Sequence, residues 1–229
     1  MRVYENIYCD KDIVVVGKAP DVPSHGLEGK SYSLIDAVAQ EFPEVLVQFP
    51  GDREGGLCHR LDNGTSGIVV IARHPTAREK FRKLFLEGKI EKTYLAIVKG
   101  RMPSPFEVHY PIAHHAKNAR KMVAMTSPTL RHRSHPKDAV TLGKVLLNND
   151  GASLVRVTIG AGRRHQVRVH LASVGHPLIG DALYGGPNAE YLTGHALHAA
   201  TLVLPSGESL ESHCPAEWDD ELKRLGLTS

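Results

Sequence analysis

The sequence predicts an α+β fold built on a central mixed, mostly antiparallel sheet flanked by helices and loops. Two observations carry this. Strand-like apolar runs outnumber helical ones along the 229 residues. Two pairs of such runs are separated by hairpin-forming turns, at Asn148–Gly151 and Pro205–Gly207.

Taken in order, Ile13–Val16 reads as a buried strand, ended by the turn region Gly17–Pro23. Ser33–Gln40 reads as a short helix with Leu34, Ile35 and Val38 on one side. Pro43–Gly56 has two prolines and three glycines and reads as loop. Gly67–Ala72 is a short β-branched strand. Pro75–Leu86 is a helix, with Pro75 in its first turn, Phe81, Leu84 and Phe85 as its apolar stripe and Gly88 to end it. Glu79 and Lys83 are spaced to support it as an i, i+4 pair.

Lys92–Val98 is a further strand. His114–Lys137 is polar and loop-rich, with one short strand at Met122–Met125. Ala139–Leu147 and Ser153–Ile159 form the first hairpin, Ala196–Leu204 and Glu208–Ser212 the second. His165–Val174 is a helix ended by Gly175, and Ala216–Leu225 a terminal helix. No linker composition marks a boundary, so residues 1–229 are expected to form one continuous domain.

Composition excludes several classes. Hydrophobic residues make up 41% and charged residues 23%, which rules out a disordered or collagen-like chain. The apolar runs are far too short to span a bilayer. The opening MRVYENIYCD lacks the basic-then-apolar pattern of a signal peptide. Cys9, Cys58 and Cys214 are scattered and odd in number, as expected of reduced cysteines in a cytoplasmic protein. The net charge of +3 is only mildly basic, but the 14 histidines are unusual and raise the question of metal.

Metal and nucleotide motifs fail on spacing. His165 and His170 are five apart and cannot share a helix face, while His132 and His135 have no carboxylate or thiolate nearby in sequence. Gly29-Lys30-Ser31 looks like the end of a phosphate-binding loop, but Ser24 stands where the pattern needs glycine. No metal and no nucleotide cofactor is therefore expected.

Four segments can carry chemistry. His59-Arg60-Leu61-Asp62-Asn63-Gly64-Thr65-Ser66-Gly67 places a carboxylate on a glycine-containing turn before a strand, with Arg60 near enough to favour its ionised form. The bland alternative is an Asx turn at Asp62 or Asn63. In Gly160–His170 a strand gives way to a glycine turn and a helix bearing Arg163, Arg164 and Arg168. That arrangement suits an anion, with Arg164 and Arg168 four apart on one helix face. Tyr94, in Lys92-Thr93-Tyr94-Leu95-Ala96, reads alone as half-buried core. Finally, His114–Lys137 holds six basic residues, among them Lys121, four histidines and no acid, a concentration suited to a phosphate backbone.

Together and in this order, these segments resemble the RluA-type RNA pseudouridine synthases. HRLDNGTSG resembles the family's catalytic stretch, KTYLAIVKG its second motif, GAGRRHQVRVHLASVGHPLIGDALYGG its third and LHAATLVLP its final strand motif. The opening IYCDKDIVVVGKAPDVPSH resembles a degraded form of its N-terminal segment, with Gly17-Lys18-Ala19-Pro20 in place of the usual Asn-Lys-Pro beginning. Arg164 likewise stands where threonine is common.

The resemblance implies the pseudouridine synthase catalytic fold with an active-site cleft across its middle, and isomerisation of uridine in structured RNA, ribosomal or transfer, after base flipping. It implies Asp62 as the essential aspartate, Tyr94 as the tyrosine that stacks on the base and takes part in proton transfer, and Arg168 as the arginine paired with the catalytic carboxylate. Leu197 stands where the family packs an aliphatic side chain on the base, and His59 and Arg60 flank the nucleophile, Arg60 touching RNA. Arg163, Arg164 and Lys121 are the expected phosphate contacts. The reaction needs no cofactor, a monomer suffices, and no S4-type RNA-binding domain is expected in front. A catalytically inactive RNA-binding or RNA-chaperone protein on the same scaffold is the alternative. Loss of Asp62, Tyr94 or Arg168 would mark it, and all three are present.

Overall fold

The structure, a computed structural model, describes residues 3–26 and 32–228. The loop candidate Gly29-Lys30-Ser31 lies outside the described residues. In chain order the elements are β1 (Tyr4–Cys9), β2 (Ile13–Lys18), α1 (Leu34–Ala39), α2 (Glu44–Val47), β3 (Ser66–Ala72), α3 (Pro75–Leu86), β4 (Glu91–Lys99), β5 (Phe106–Val108) and β6 (Ile112–His114). They continue with β7 (Met122–Ala124), β8 (Thr141–Asn148), β9 (Ala152–Ile159), α4 (Gln166–Ser173), a 3-10 turn at Ala182–Tyr184, β10 (Leu197–Val203), β11 (Ser209–Glu211) and α5 (Glu217–Arg224).

Two compact units result, Met1–Lys92 with His198–Pro215, and Thr93–Leu197 with Ala216–Ser229. In the first, strands run in the order β1-β2-β3-β10, with β11 paired to β10. β1/β2, β2/β3 and β10/β11 are antiparallel, whereas β3 and β10 are parallel, His198 facing Ser66 and Ala199 facing Gly67. β2 and β3 are buried along their whole length, which is why they read as unbroken apolar runs rather than alternating ones. Gly67 is required by this parallel pair. Its φ is +107°, and a Cβ there would sit 2.2 Å from the Ala199 carbonyl oxygen.

α3 starts and ends where the sequence places it. His74 caps it by accepting the Ala77 N–H, Pro75 opens the first turn, and Gly88 leaves it with φ +68°. Phe81 and Phe85, one turn apart, bury against Ile68, Val70 and Ile90, each contributing roughly 2 kcal/mol over exposure. Lys83 lies 4.0 Å from Glu87 instead of pairing with Glu79 as the spacing suggests. Within the segment read as loop, Glu44–Val47 forms the single turn α2 directly after Pro43, whose fixed φ suits a helix start.

In the second unit the strands run β4-β9-β8-β5, and β6 and β7 form a separate antiparallel pair. The β8/β9 hairpin closes around Asn149, whose side-chain oxygen accepts the N–H groups of Gly151 and Ala152. The basic stretch is more ordered than its polarity suggests. β6/β7 is extended by bridges from His115 to His132 and from Ile112 to Lys137. It is anchored by Ile112, Met122 and Ala124, which pack against Val169 and Tyr184.

The helix expected from His165 begins at Gln166, because His165 takes a left-handed conformation with φ +56°. Arg164 and Arg168 therefore do not share a helix face: Arg164 is exposed ahead of the helix and Arg168 is buried within it. Among the described residues no helix is long and apolar enough to cross a membrane.

Candidate active site

Asp62 sits on a turn closed by the Thr65 N–H donating to its main-chain carbonyl at 3.0 Å. Three side chains from the first unit hold this turn. Lys18, at the end of β2 and only 2% exposed, donates to the carbonyls of Ala19 (2.9 Å), Val22 (2.8 Å) and Asn63 (3.0 Å). Burial pushes the Lys18 pKa down to about 7, while the negative charges of Asp62 and Asp21 act in the opposite direction. Buried Ser24 brackets the preceding residue, donating to the Leu61 carbonyl at 3.1 Å and accepting the Leu61 N–H at 3.3 Å.

His59 is the third. Its Nε2 accepts the Val70 N–H of β3 at 3.0 Å, and its ring lies 4.2 Å from that of Phe85. Burial, with the Lys92 ammonium nearby, holds its pKa down at about 3. The bond ties this ring to β3, while His59 as a whole is half-buried. Arg60 is exposed, its Nη1 donating to Glu54 at 2.8 Å and lying 3.0 Å from the His25 ring.

The serine of the same motif is also fixed. Ser66 Oγ lies 2.9 Å from His198 Nδ1, and His198 Nε2 donates to the Ser212 carbonyl at 3.0 Å. Burial lowers the His198 pKa, so the ring is a neutral structural bridge between β3 and β10. The first and last sequence motifs are thereby joined in one unit.

In the second unit, Tyr94 on β4 and Leu197 at the start of β10 are both buried, 7% and 4% exposed. Arg168 on α4 donates Nε to Asp181 Oδ2 at 2.8 Å and Nη2 to Asp181 Oδ1 at 2.9 Å. Its guanidinium carbon lies 5.2 Å from the Tyr184 ring centroid. His170, on the same helix, donates Nε2–H to the Tyr110 carbonyl and accepts from Thr141 Oγ1, both at 2.8 Å.

The basic residues lie around this helix start. Arg163 donates Nε to the Asp138 carbonyl at 3.1 Å, and Arg164 reaches the Arg120 carbonyl at 3.5 Å. Lys121 Nζ lies 5.3 Å from the Tyr184 centroid. Arg120, Arg131, Arg133, Lys117 and Lys137 are exposed. The turn before α4 and the β6/β7 arm thus form one basic surface within this unit.

Sequence reasoning missed Lys18, Ser24 and Asp181. The signal for Lys18 was available, a single cation closing an otherwise apolar strand. Ser24 and Asp181 act on residues far along the chain, and their spacing gave no sign of it.

Comparison with known proteins agrees with these motifs. Residues 12–173 match the family described as RNA pseudouridylate synthase. The chain is 33% identical over 228 residues to ribosomal large subunit pseudouridine synthase D of Haemophilus influenzae, covering 91% of this chain and 66% of the relative. It is 36% identical over 183 residues to an uncharacterized RNA pseudouridine synthase of Aquifex aeolicus, covering 78% and 55%. The solved structure of human RNA pseudouridylate synthase domain containing 4 superposes with a TM-score of 0.76 at 27% identity, covering 98% of this chain and 94% of that one. The chain thus spans about two thirds or less of the length of these two curated relatives. With the expected motifs, a mixed and mostly antiparallel sheet with several helices, and a family match over residues 12–173, the chain belongs to the RNA pseudouridine synthases of the RluA type.

Proposed function

We propose that the chain converts uridine in structured RNA to pseudouridine, with Asp62 as the nucleophile. The observation that carries this reading is the Asp62 turn itself. A half-buried carboxylate is held by Lys18 and Ser24 through main-chain contacts, in a family whose motif places its essential aspartate there. Such a carboxylate is fixed in place before substrate arrives.

The isomerisation breaks the C–N glycosidic bond, turns the base and forms a C–C bond, leaving oxidation state unchanged. Asp62 acts as a carboxylate nucleophile. Arg168 supplies the fixed positive charge that the family's mechanism assigns to its position. Tyr94 and Leu197 offer flat apolar surfaces on which the detached base turns, and the Tyr94 hydroxyl takes part in removing the C5 proton.

The target base must leave its stack, at a cost of a few kcal/mol. Phosphate contacts from Arg163, Arg164, Lys121 and the β6/β7 arm offset that cost, and Arg60 fills the space the base vacates. Ribosomal RNA is the favoured substrate, because the Haemophilus influenzae relative is named for the large ribosomal subunit; transfer RNA is the other class to be assayed.

The test is Asp62→Asn, assayed by pseudouridine mapping of RNA and by RNA affinity. Isomerisation is expected to fall by roughly 10³-fold or more, with affinity unchanged within about twofold. A variant that isomerises at the wild-type rate overturns the reading. A wild-type protein that binds RNA but forms no pseudouridine supports the inactive RNA-binding alternative.

A further inference from the structure

We propose that Asp181 and Tyr184 are positioning residues that fix the plane of the Arg168 guanidinium; this rests on the catalytic role proposed above for Arg168. The Arg168 and Asp181 side chains are 8% and 1% exposed, and the contact uses both carboxylate oxygens. Burying such a pair is costly, and a well-packed apolar pair would stabilise the fold at least as well. What the pair provides is direction. Two parallel N–H···O bonds fix the guanidinium plane and leave only its remaining edge to face another group.

The support continues behind Arg168. The Tyr184 ring lies under the guanidinium, 5.2 Å from centroid to carbon. Its hydroxyl is itself pinned, accepting the Met122 N–H at 2.9 Å and lying 2.9 Å from His165 Nδ1. Asp181 sits on a loop with little freedom to move. Its N–H bonds the Leu178 carbonyl, and its own carbonyl accepts from Tyr184 and Gly186. At Gly186 a Cβ would meet the Leu178 carbonyl oxygen at 1.8 Å, so the chain there has no room for any other residue. A carboxylate held on a tight loop, a pinned ring and a bidentate contact together leave the arginine one orientation.

The experiment compares wild type with Asp181→Asn, measuring the single-turnover rate per folded molecule, RNA affinity and the melting temperature. Loss of orientation is expected to lower the rate about 10- to 100-fold with affinity unchanged within about twofold. A rate per folded molecule within about twofold of wild type would show that the pair only stabilises the fold, and the inference would fail. If Asp181→Asn does not fold, Tyr184→Leu decides: it removes the ring from beneath the guanidinium and should lower the rate at least about threefold at unchanged affinity, and a normal rate overturns the proposal. Arg168→Lys and Asp62→Asn separate the two claims. If both isomerise normally, the underlying reading of the site is wrong; if both are inactive while Asp181→Asn is normal, only the positioning role is wrong.

Discussion

Lys18 is the sharpest test of how the Asp62 turn is held. Methionine at this position keeps the length and apolar stem of lysine and removes only the ammonium. Three main-chain carbonyls, of Ala19, Val22 and Asn63, then lose donors at 2.8 to 3.0 Å in a position 2% exposed. Each orphaned buried acceptor costs about 1–3 kcal/mol. Part of that is offset because no charge is buried any longer, an effect large enough to bring the lysine pKa from 10.5 to about 7. The net loss expected for Lys18→Met is about 2–4 kcal/mol, which for a chain of this size lowers the melting temperature by roughly 5–15 °C. Thermal unfolding followed by circular dichroism measures it directly. Because the Asn63 carbonyl adjoins Asp62, the single-turnover rate should fall about tenfold or more even where the variant is fully folded. A variant that melts within about 2 °C of wild type and isomerises at the same rate would refute the claim that this lysine holds the turn.

Two further outcomes are expected. His59 has a pKa of about 3 in the fold against 6.5 for a free ring, so between those values the unfolded chain binds the extra proton. Its contribution is therefore complete well above pH 6.5 and is lost as pH falls, by about 2 kcal/mol between pH 6.5 and 4.5. His59→Gln should flatten that part of the urea-denaturation profile, and an unchanged slope would show that His59 is not its source. On the basic arm, Arg131→Gln with Arg133→Gln should weaken binding to all RNA sequences alike and reduce the slope of log affinity against log salt by about 1 per lost phosphate contact. An unchanged slope would remove these residues from the RNA surface.

What the sequence made legible depended on how local the cause was. α3 was readable at both ends because its start, stripe and stop lie in one short window: Pro75, Phe81 with Phe85, and Gly88. The β8/β9 hairpin was readable because Asn149 closes it within three residues. β5 and β6 were not, since Phe106–Val108 and Ile112–His114 have neither the unbroken apolar run that marks the equally short β7 nor the hairpin turn that marks β11. Arg164 and Arg168 were misjudged as helix neighbours because a left-handed His165 between them leaves no mark on spacing. The positions of Asp62, Tyr94 and Arg168 came from motif resemblance, whereas their supports are tertiary. Asp181 reaches Arg168 from 13 residues away and Ser24 reaches Leu61 from 37.

The parallel pairing of β3 with β10 also sets an order of events during synthesis. Ser66 and His198 are 132 residues apart, so the strand that follows the Asp62 turn waits for its neighbour until most of the chain has been made. At a typical elongation rate of about 5–20 residues per second, that wait lasts roughly 7–26 s. During it, Val70–Ala72 already bond Gly56–His59, and only the first residues of β3, Ser66 and Gly67, await their β10 partners. The arrival of His198 and Ala199 ends that wait and, in the same step, seats the ring that bridges Ser66 to Ser212. The last strand motif therefore acts as a latch on the Ser66 end of β3, and a chain cut short before residue 198 would have the Asp62 turn but lack the neighbour of Ser66 and Gly67.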